Sequence, residues 1–243
     1  MRSKYFLGCS GFYYNHWKGI FYPEDLSKNK WLEFYMEHFN TVEINSTFYR
    51  FPKDKTVKNW ASKAKSNFKY SLKVNKMITH NKKFIDTKDL VEQFYSLASL
   101  LNDKLGCILF QLPPSIHKDI NKLNEIISQL NPSYKNVIEF RHKSWWDPEV
   151  YKILEKNNIT FCSTSSPKLP EDLIITSNIV YIRFHGKSRW FRHNYTDDEL
   201  KIWVDEIKKI SSEIKEIYIY FNNDFEGYAI NNCKNLFKLL NLE

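Results

Sequence analysis

The sequence predicts an α/β fold of the (β/α)8 TIM-barrel type, and three observations carry that expectation. Strand-like and helix-like segments alternate eight times along the chain, the pattern of a parallel sheet. The chain has 243 residues, the size of one eight-unit barrel. No G-x-G-x-x-G follows the first strand, so an open dinucleotide-binding sheet lacks its fingerprint. With no linker or low-complexity tract, residues 1–243 are expected to form a single domain.

The first strand spans residues 4–10, where Tyr5-Phe6-Leu7 runs into Gly8-Cys9-Ser10-Gly11. A long aromatic loop containing Trp17 leads to an amphipathic helix near 29–39. The second strand, Thr41 to Asn45, gives way to a loop, Ser46 to Arg50, which ends at Pro52 before a helix near 54–65. The third strand, Phe68 to Val74, is followed by a basic loop from Asn75 to Lys83 that carries His80. A helix near 87–102 has Leu90, Val91, Phe94, Leu97, Ala98 and Leu101 on one stripe.

The fourth strand, Leu105 to Gln111, stops at Pro113-Pro114, because proline cannot continue a buried ladder. A helix near 119–130 returns to the fifth strand, Val137-Ile138-Glu139-Phe140-Arg141. Asp147-Pro148 then opens a helix in the N-cap and N1 arrangement, to about Asn157. The sixth strand covers Ile159 to Ser163, and its crossover, about 165–178, is weak in helical pattern or lacks the helix. The seventh strand runs from Ile179 to His185. Thr196-Asp197-Asp198-Glu199 reads as a capping box for a helix to about 211. The eighth strand, Glu216 to Asn222, precedes Asn223-Asp224 and a last helix near 226–241.

Composition narrows the class. Apolar content of 42% excludes a disordered chain, and no apolar run approaches the roughly 18 residues of a membrane helix. The N-terminal apolar run is broken too early, at Gly8, for a signal peptide, so a cytoplasmic protein with no membrane partner is expected. Cys9, Cys107, Cys162 and Cys233 form no C-x-x-C pair, which points to reduced, buried thiols. A net charge of +8 and a pI near 9.1 suit an anionic partner, although abundant Lys beside Asn and Ile also fits a compositional bias. Aromatic content is 16%, and Trp17, Trp145, Trp146 and Trp190 fall in segments that read as loops, as stacking surfaces would.

Side chains alternate faces along a strand, so one parity of each strand lines the axis of a barrel and the last such residues line its C-terminal mouth. That rule selects Ser10, Glu43, Asn45, Lys73, Asn75, Gln111, Glu139, Arg141, Arg183, His185 and Asn222; the sixth strand ends only in Ser163 or Ser165. A lone Glu139 and Arg141 would read as a structural ion pair, but polar residues converging from seven strands are an expensive core filling. Lys73, Arg141 and Arg183 suit a phosphate, sulfate or carboxylate, and His80, His142 and His185 are nearby candidates for proton transfer. Glu43 and Glu139 would alternatively serve as general acid and base on a glycoside.

The absence of H-x-H or H-E-x-x-H spacing, and the neighbouring cations, argue against a metal; no cofactor is expected. His16, His38 and His117 read as surface or packing histidines. Cys9 reads as a buried bystander. Asn222-Asn223-Asp224 fits either the pocket or a turn capping the last helix.

Several stretches together resemble the YecE-like family, a bacterial and archaeal set catalogued as a domain of unknown function. They are Gly8-Cys9-Ser10-Gly11-Phe12, His16-Trp17-Lys18-Gly19 with Phe21-Tyr22-Pro23, and the run from Phe39 to Tyr49. They continue with Phe110-Gln111-Leu112-Pro113-Pro114, Glu139-Phe140-Arg141-His142 with Ser144-Trp145, Arg183-Phe184-His185-Gly186, and Tyr220-Phe221-Asn222-Asn223-Asp224. The resemblance implies a TIM-type barrel with a site at the ring residues and brings no assigned reaction. Two departures stand out: Phe12 replaces the family's usual tryptophan, and Ser163-Thr164-Ser165-Ser166-Pro167 lacks its usual aspartate after the sixth strand.

The expectation is an enzyme of the hydrolase or phosphoryl-handling type acting on an anionic small molecule or nucleic acid. Lys73, Arg141 and Arg183 would hold the anion, Glu139 or Glu43 would be the base, and His185 or His142 the acid. Trp145, Trp17 and Tyr49 would stack on a base or sugar. Ser10, Asn45, His80, Gln111, Asn222, Asn223 and Asp224 would complete the lining. The alternatives are a non-catalytic single-strand binding module and a metal-independent glycosidase. Nothing in the pattern specifies an oligomeric state.

Overall fold

The computed structural model describes residues 3–242. The strands are β1 (Lys4–Cys9), β2 (Thr41–Ile44), β3 (Lys69–Lys73), β4 (Leu105–Gln111), β5 (Asn136–Glu139), β6 (Thr160–Ser165), β7 (Ile179–Phe184) and β8 (Glu216–Phe221). The α-helices are α1 (Trp31–His38), α2 (Ser46–Tyr49), α3 (Asp54–Lys63), α4 (Lys88–Ser99), α5 (Ile120–Ser128), α6 (Pro148–Lys156), α7 (Asp197–Ile210) and α8 (Tyr228–Leu239). The strands form one sheet in the order β1-β8-β7-β6-β5-β4-β3-β2, and a parallel bridge between Ser10 and Glu43 joins its two end strands. This is an α/β TIM-type barrel topology, as the alternation predicts. Among the described residues no helix is long and apolar enough to cross a membrane. All four cysteines are buried and none is in a disulfide.

The chain divides into two compact units. One holds the N-terminal stretch through Glu43, Ser163–Leu173 and the stretch from Asn178 onward. Here β8 pairs in parallel with both β1 and β7, and Glu216 is the register partner of Lys4 on one side and Ile179 on the other. Where β1 passes β2, α1 contributes the hydroxyl of Tyr35, which accepts from Cys9 N at 2.7 Å and donates to Thr41 O at 3.0 Å. Glycine at position 8 permits this close approach, since a Cβ there would overlap the Thr41 carbonyl oxygen. The expected capping box forms on α7, with Thr196 and Glu199 exchanging bonds. The last helix starts at Tyr228 rather than 226, because Glu226 and Gly227 adopt left-handed conformations with φ of 52° and 75°.

The other unit is Ile44–Cys162 with Ile174–Ser177. It pairs β3 with β4 and β4 with β5, the latter in a register that sets Gln111 opposite Glu139. A register shift between Tyr70 and Leu72 is bridged by Ser71 Oγ, which accepts from Cys107 N at 3.1 Å. Asp147 caps α6 with Pro148 as its first residue, as expected. The crossover after β6 lacks a helix. Instead Thr176 hydrogen-bonds the backbone of Ile159 and Phe161, tying an irregular segment to the start of the strand.

Two expected loops are helical turns. Ser46–Tyr49 forms the short α2, held by Thr47 Oγ1 donating to Ile44 O at 2.9 Å and Lys73 O at 2.6 Å. Met77–Asn81 forms a π-helical turn started by Asn75 Oδ1 accepting from Met77 N at 2.9 Å. Both segments are too short for hydrophobic periodicity to register.

Candidate functional site

The ring residues fall into two clusters, one in each unit, and both lie at the C-terminal ends of strands. In the first, Tyr181, Arg183 and His185 occupy one face of β7 and its immediate continuation, at spacing i, i+2, i+4. Glu43, fully buried near the end of β2, accepts from Arg183 Nη2 at 2.6 Å on Oε1 and from the Tyr181 hydroxyl at 2.6 Å on Oε2. The same Nη2 reaches Ser10 Oγ at 3.4 Å, and Nη1 lies 3.3 Å from His185 Nε2. Because guanidinium only donates, a neutral His185 accepts at Nε2 and carries its proton on Nδ1. Asn222 Nδ2 stands 3.0 Å from that Nδ1, so this amide accepts the proton only when turned to bring its oxygen to the same position.

This geometry corrects three expectations. Arg183 is 1% exposed and its fork is committed to Glu43, Ser10 and His185, so it braces the strand ends rather than gripping an external anion. Glu43 has both oxygens engaged and no exposure, so it is not placed as a solvent-facing base. Buried His185 faces Arg183 as an acceptor, the wrong polarity for a general acid at that nitrogen.

The residues after β8 make internal contacts, although Asn223 Oδ1 has no hydrogen-bond partner among the described residues and Asp224 lines an open pocket. Asn223 is fully buried and donates to His193 O and Asn232 Oδ1, both at 2.8 Å. Asp224 O accepts from His16 Nε2 at 2.8 Å and from Trp17 Nε1 at 3.3 Å, and its carboxylate lies 3.4 Å from the same imidazole. Burial pushes the Asp224 carboxyl above its ordinary value, opposed by its own backbone N–H and by His16. No side chain of the three caps a helix, so the turn-and-cap reading does not describe them.

The second cluster is differently balanced. Glu139, fully buried at the end of β5, accepts from Arg141 Nη1 at 2.7 Å on Oε1 and from Gln111 Nε2 at 2.8 Å on Oε2. Its role is to hold Arg141, whose side chain keeps 17% exposure, rather than to act as a free base. His80 comes from the π-helical turn after β3. Its pKa is pulled down to about 4, first by burial and then by the Lys73 and Arg141 cations, against a smaller opposing effect of Glu139. Its Nδ1 contacts Thr79 Oγ1 at 2.8 Å.

Phe48 of α2 ties this group together. Lys73 Nζ stands 4.1 Å from its ring centre, and the His80 ring meets it edge-on at 4.9 Å. Next to it Tyr49 is 68% exposed, with Lys76 Nζ 5.6 Å from its ring. Asn45 Oδ1 is buried with no hydrogen-bond partner among the described residues, which leaves an acceptor for a ligand's donor. Asn75, by contrast, is used internally, donating to Thr47 O at 2.9 Å.

Other expected site residues lie elsewhere. His142 stacks on His117 with centroids 3.8 Å apart and caps the following turn through Ser144, the opposite parity from Arg141. Burial, then His117 and Lys143, lower its pKa. Trp145 and Trp17 are wholly buried, so neither stacks on a ligand; Trp145 Nε1 donates to Ile116 O at 2.8 Å. Among the described residues no group of three or more His, Cys, Asp or Glu is arranged to hold a metal.

Comparison with known proteins agrees with the fold. The family described as "Protein of unknown function DUF72" matches residues 6–243. The UPF0759 protein YunF of Bacillus subtilis is 23% identical over 91% of this chain and 90% of its own length. The UPF0759 protein YecE of Escherichia coli K12 is 29% identical over 47% of this chain and 43% of its own, in line with the YecE-like resemblance. A DUF72 family crystal structure from Thermotoga maritima superposes with a TM-score of 0.88 at 29% identity, covering 98% of this chain and 99% of that one. One from Enterococcus faecalis, 22% identical, gives 0.86 and has the same fold, with 98% and 96% covered. The chain therefore belongs to the DUF72 family.

Proposed function

We propose that this protein acts in the cytoplasm on a phosphorylated compound, a nucleotide or a nucleic acid, as an enzyme of hydrolytic or phosphoryl-handling type. The phosphate would sit at Lys73, Arg141 and His80. The observation that carries this reading is the grouping of Lys73 Nζ and the His80 ring on Phe48, with the partly exposed Arg141 close enough to join Lys73 and burial in lowering the His80 pKa, a cationic field that a bound anion would relieve. Arg141 is aimed by Glu139, itself held by Gln111, which presets the guanidinium for phosphate oxygens. Neutral His80 would donate or accept the proton that phosphoryl chemistry needs.

The glycosidase reading is not favoured, since Glu43 and Glu139 each have both oxygens engaged within their own cluster. Calorimetric titration with inorganic phosphate and with dTMP tests the proposal. Arg141→Ala should weaken both at least tenfold, the loss of about 1.4 kcal/mol or more expected for a charge-assisted bond. Equal binding by a folded Arg141→Ala protein would end the assignment.

A further inference from the structure

Beside the Lys73 and Arg141 cluster a second basic feature remains unused. A groove of about 370 Å³ opens between α2 and the start of α3, lined by Ser46, Arg50, Phe51, Lys53, Thr56 and Trp60 together with Pro52. Its charged lining is cationic only; Asp54, the next residue along, is not part of it. Arg50 and Lys53 are exposed, and neither they nor Lys76 form an ion pair with any described residue. No side chain caps the start of α3, so its first N–H groups add partial positive charge there.

The chain orders these features continuously. Phe48, under Lys73, belongs to the phosphate cluster; Tyr49, beside Lys76, presents an open ring; Arg50 and Lys53 line the groove. Lys53 lies four positions after Tyr49, a reach of up to about 14 Å along extended backbone. One phosphate on Lys73 and Arg141 would leave Lys76, Arg50 and Lys53 without an anion. A phosphate at every sugar would supply each of them, and an unstacked base would cover Tyr49.

Resting on the reading above, we infer that the partner is a single-stranded nucleic acid, whose backbone continues from the Lys73 and Arg141 cluster past Tyr49 into the Arg50 and Lys53 groove. A mononucleotide fills only the first part. A duplex keeps its bases stacked and gives Tyr49 nothing to cover.

The test is fluorescence anisotropy with a labelled 12-mer oligothymidylate, competed by dTMP, a 12-bp duplex and polyglutamate. The single strand should bind at least tenfold tighter than dTMP or the duplex. Arg50→Ala with Lys53→Ala should flatten the salt dependence of oligothymidylate binding by about 1.4, at about 0.7 per phosphate contact, and leave dTMP affinity unchanged. Tyr49→Ala should weaken the oligomer about tenfold. Equal affinity for dTMP and the 12-mer, an unchanged salt slope in the double variant, or equally strong competition by polyglutamate would each overturn the inference. If dTMP binding still depends on Arg141 in those cases, the phosphate site stands without the track. If the oligomer depends on Arg50 and Lys53 while Arg141→Ala changes nothing, the track stands and the phosphate site fails.

Discussion

Replacing His80 with glutamine tests the electrostatic logic of the phosphate cluster. In the free protein His80 titrates near 4 instead of its ordinary 6.5, because burial and the Lys73 and Arg141 cations disfavour the imidazolium. One negative charge about 4 Å away contributes roughly 4 kcal/mol at an effective dielectric of 20, and halving this for the partly exposed ring leaves about 2 kcal/mol. That is about 1.5 pKa units, which lifts the bound-state value to about 5.5. Since the bound state holds the proton more tightly, anion affinity rises as pH falls through about 5.5 and levels off below about 4. Between pH 7.5 and 4.5 the expected gain is about eightfold by this linkage. Sulfate is the suitable probe, because it keeps its charge over this range. Calorimetry at several pH values should show the tightening in wild type and a nearly flat profile in His80→Gln. A flat wild-type profile, or an equally steep one in the variant, would refute the placement of the anion beside His80.

Three further outcomes follow from burial and pairing. Arg183→Met should lose about 3–5 kcal/mol in urea unfolding, because it strands Glu43 uncompensated, and adding Glu43→Gln should recover part of the loss; a single variant as stable as wild type would deny the pair a structural role. Trp145→Ala should cost about 3–5 kcal/mol of stability and leave sulfate affinity of the folded protein unchanged, against the expectation for a stacking residue. Asp224, with its pKa raised by burial, contributes stability fully present below the unfolded carboxyl pKa and lost as pH rises through the folded one. Asp224→Asn should therefore match or exceed wild-type stability at pH 7 and lose that advantage in acid, as read by the melting temperature.

Strand parity made much of the site legible. It placed Gln111, Glu139 and Arg141 on one face, and the same rule applied to β7 would have added Tyr181 to Arg183 and His185. Applied one residue further, it would have set His142, which follows Arg141, on the opposite face. Loop position misled for tryptophan: Trp17 and Trp145 lie outside strands and α-helices yet are fully covered, because irregular segments also bury large side chains. Phe48 escaped notice since a one-turn helix carries no periodic signal. The partnership of Glu43 with Arg183, 140 residues apart, leaves no trace in a single sequence. Parity therefore gathered the right side chains but could not say which charges were spent on one another.

The seam between β1 and β2 has a consequence for the order of assembly. These strands are neighbours in sequence, yet they meet through the Ser10–Glu43 bridge, the Tyr35 hydroxyl and a guanidinium from β7 rather than a full ladder. During synthesis Glu43 emerges 140 residues ahead of Arg183, which at about 5–20 residues per second is a wait of roughly 7–28 s. Until then the carboxylate must stay hydrated, because burying it alone costs several kcal/mol. The first two strands are thus made early and sealed late, by a residue that arrives after most of the chain.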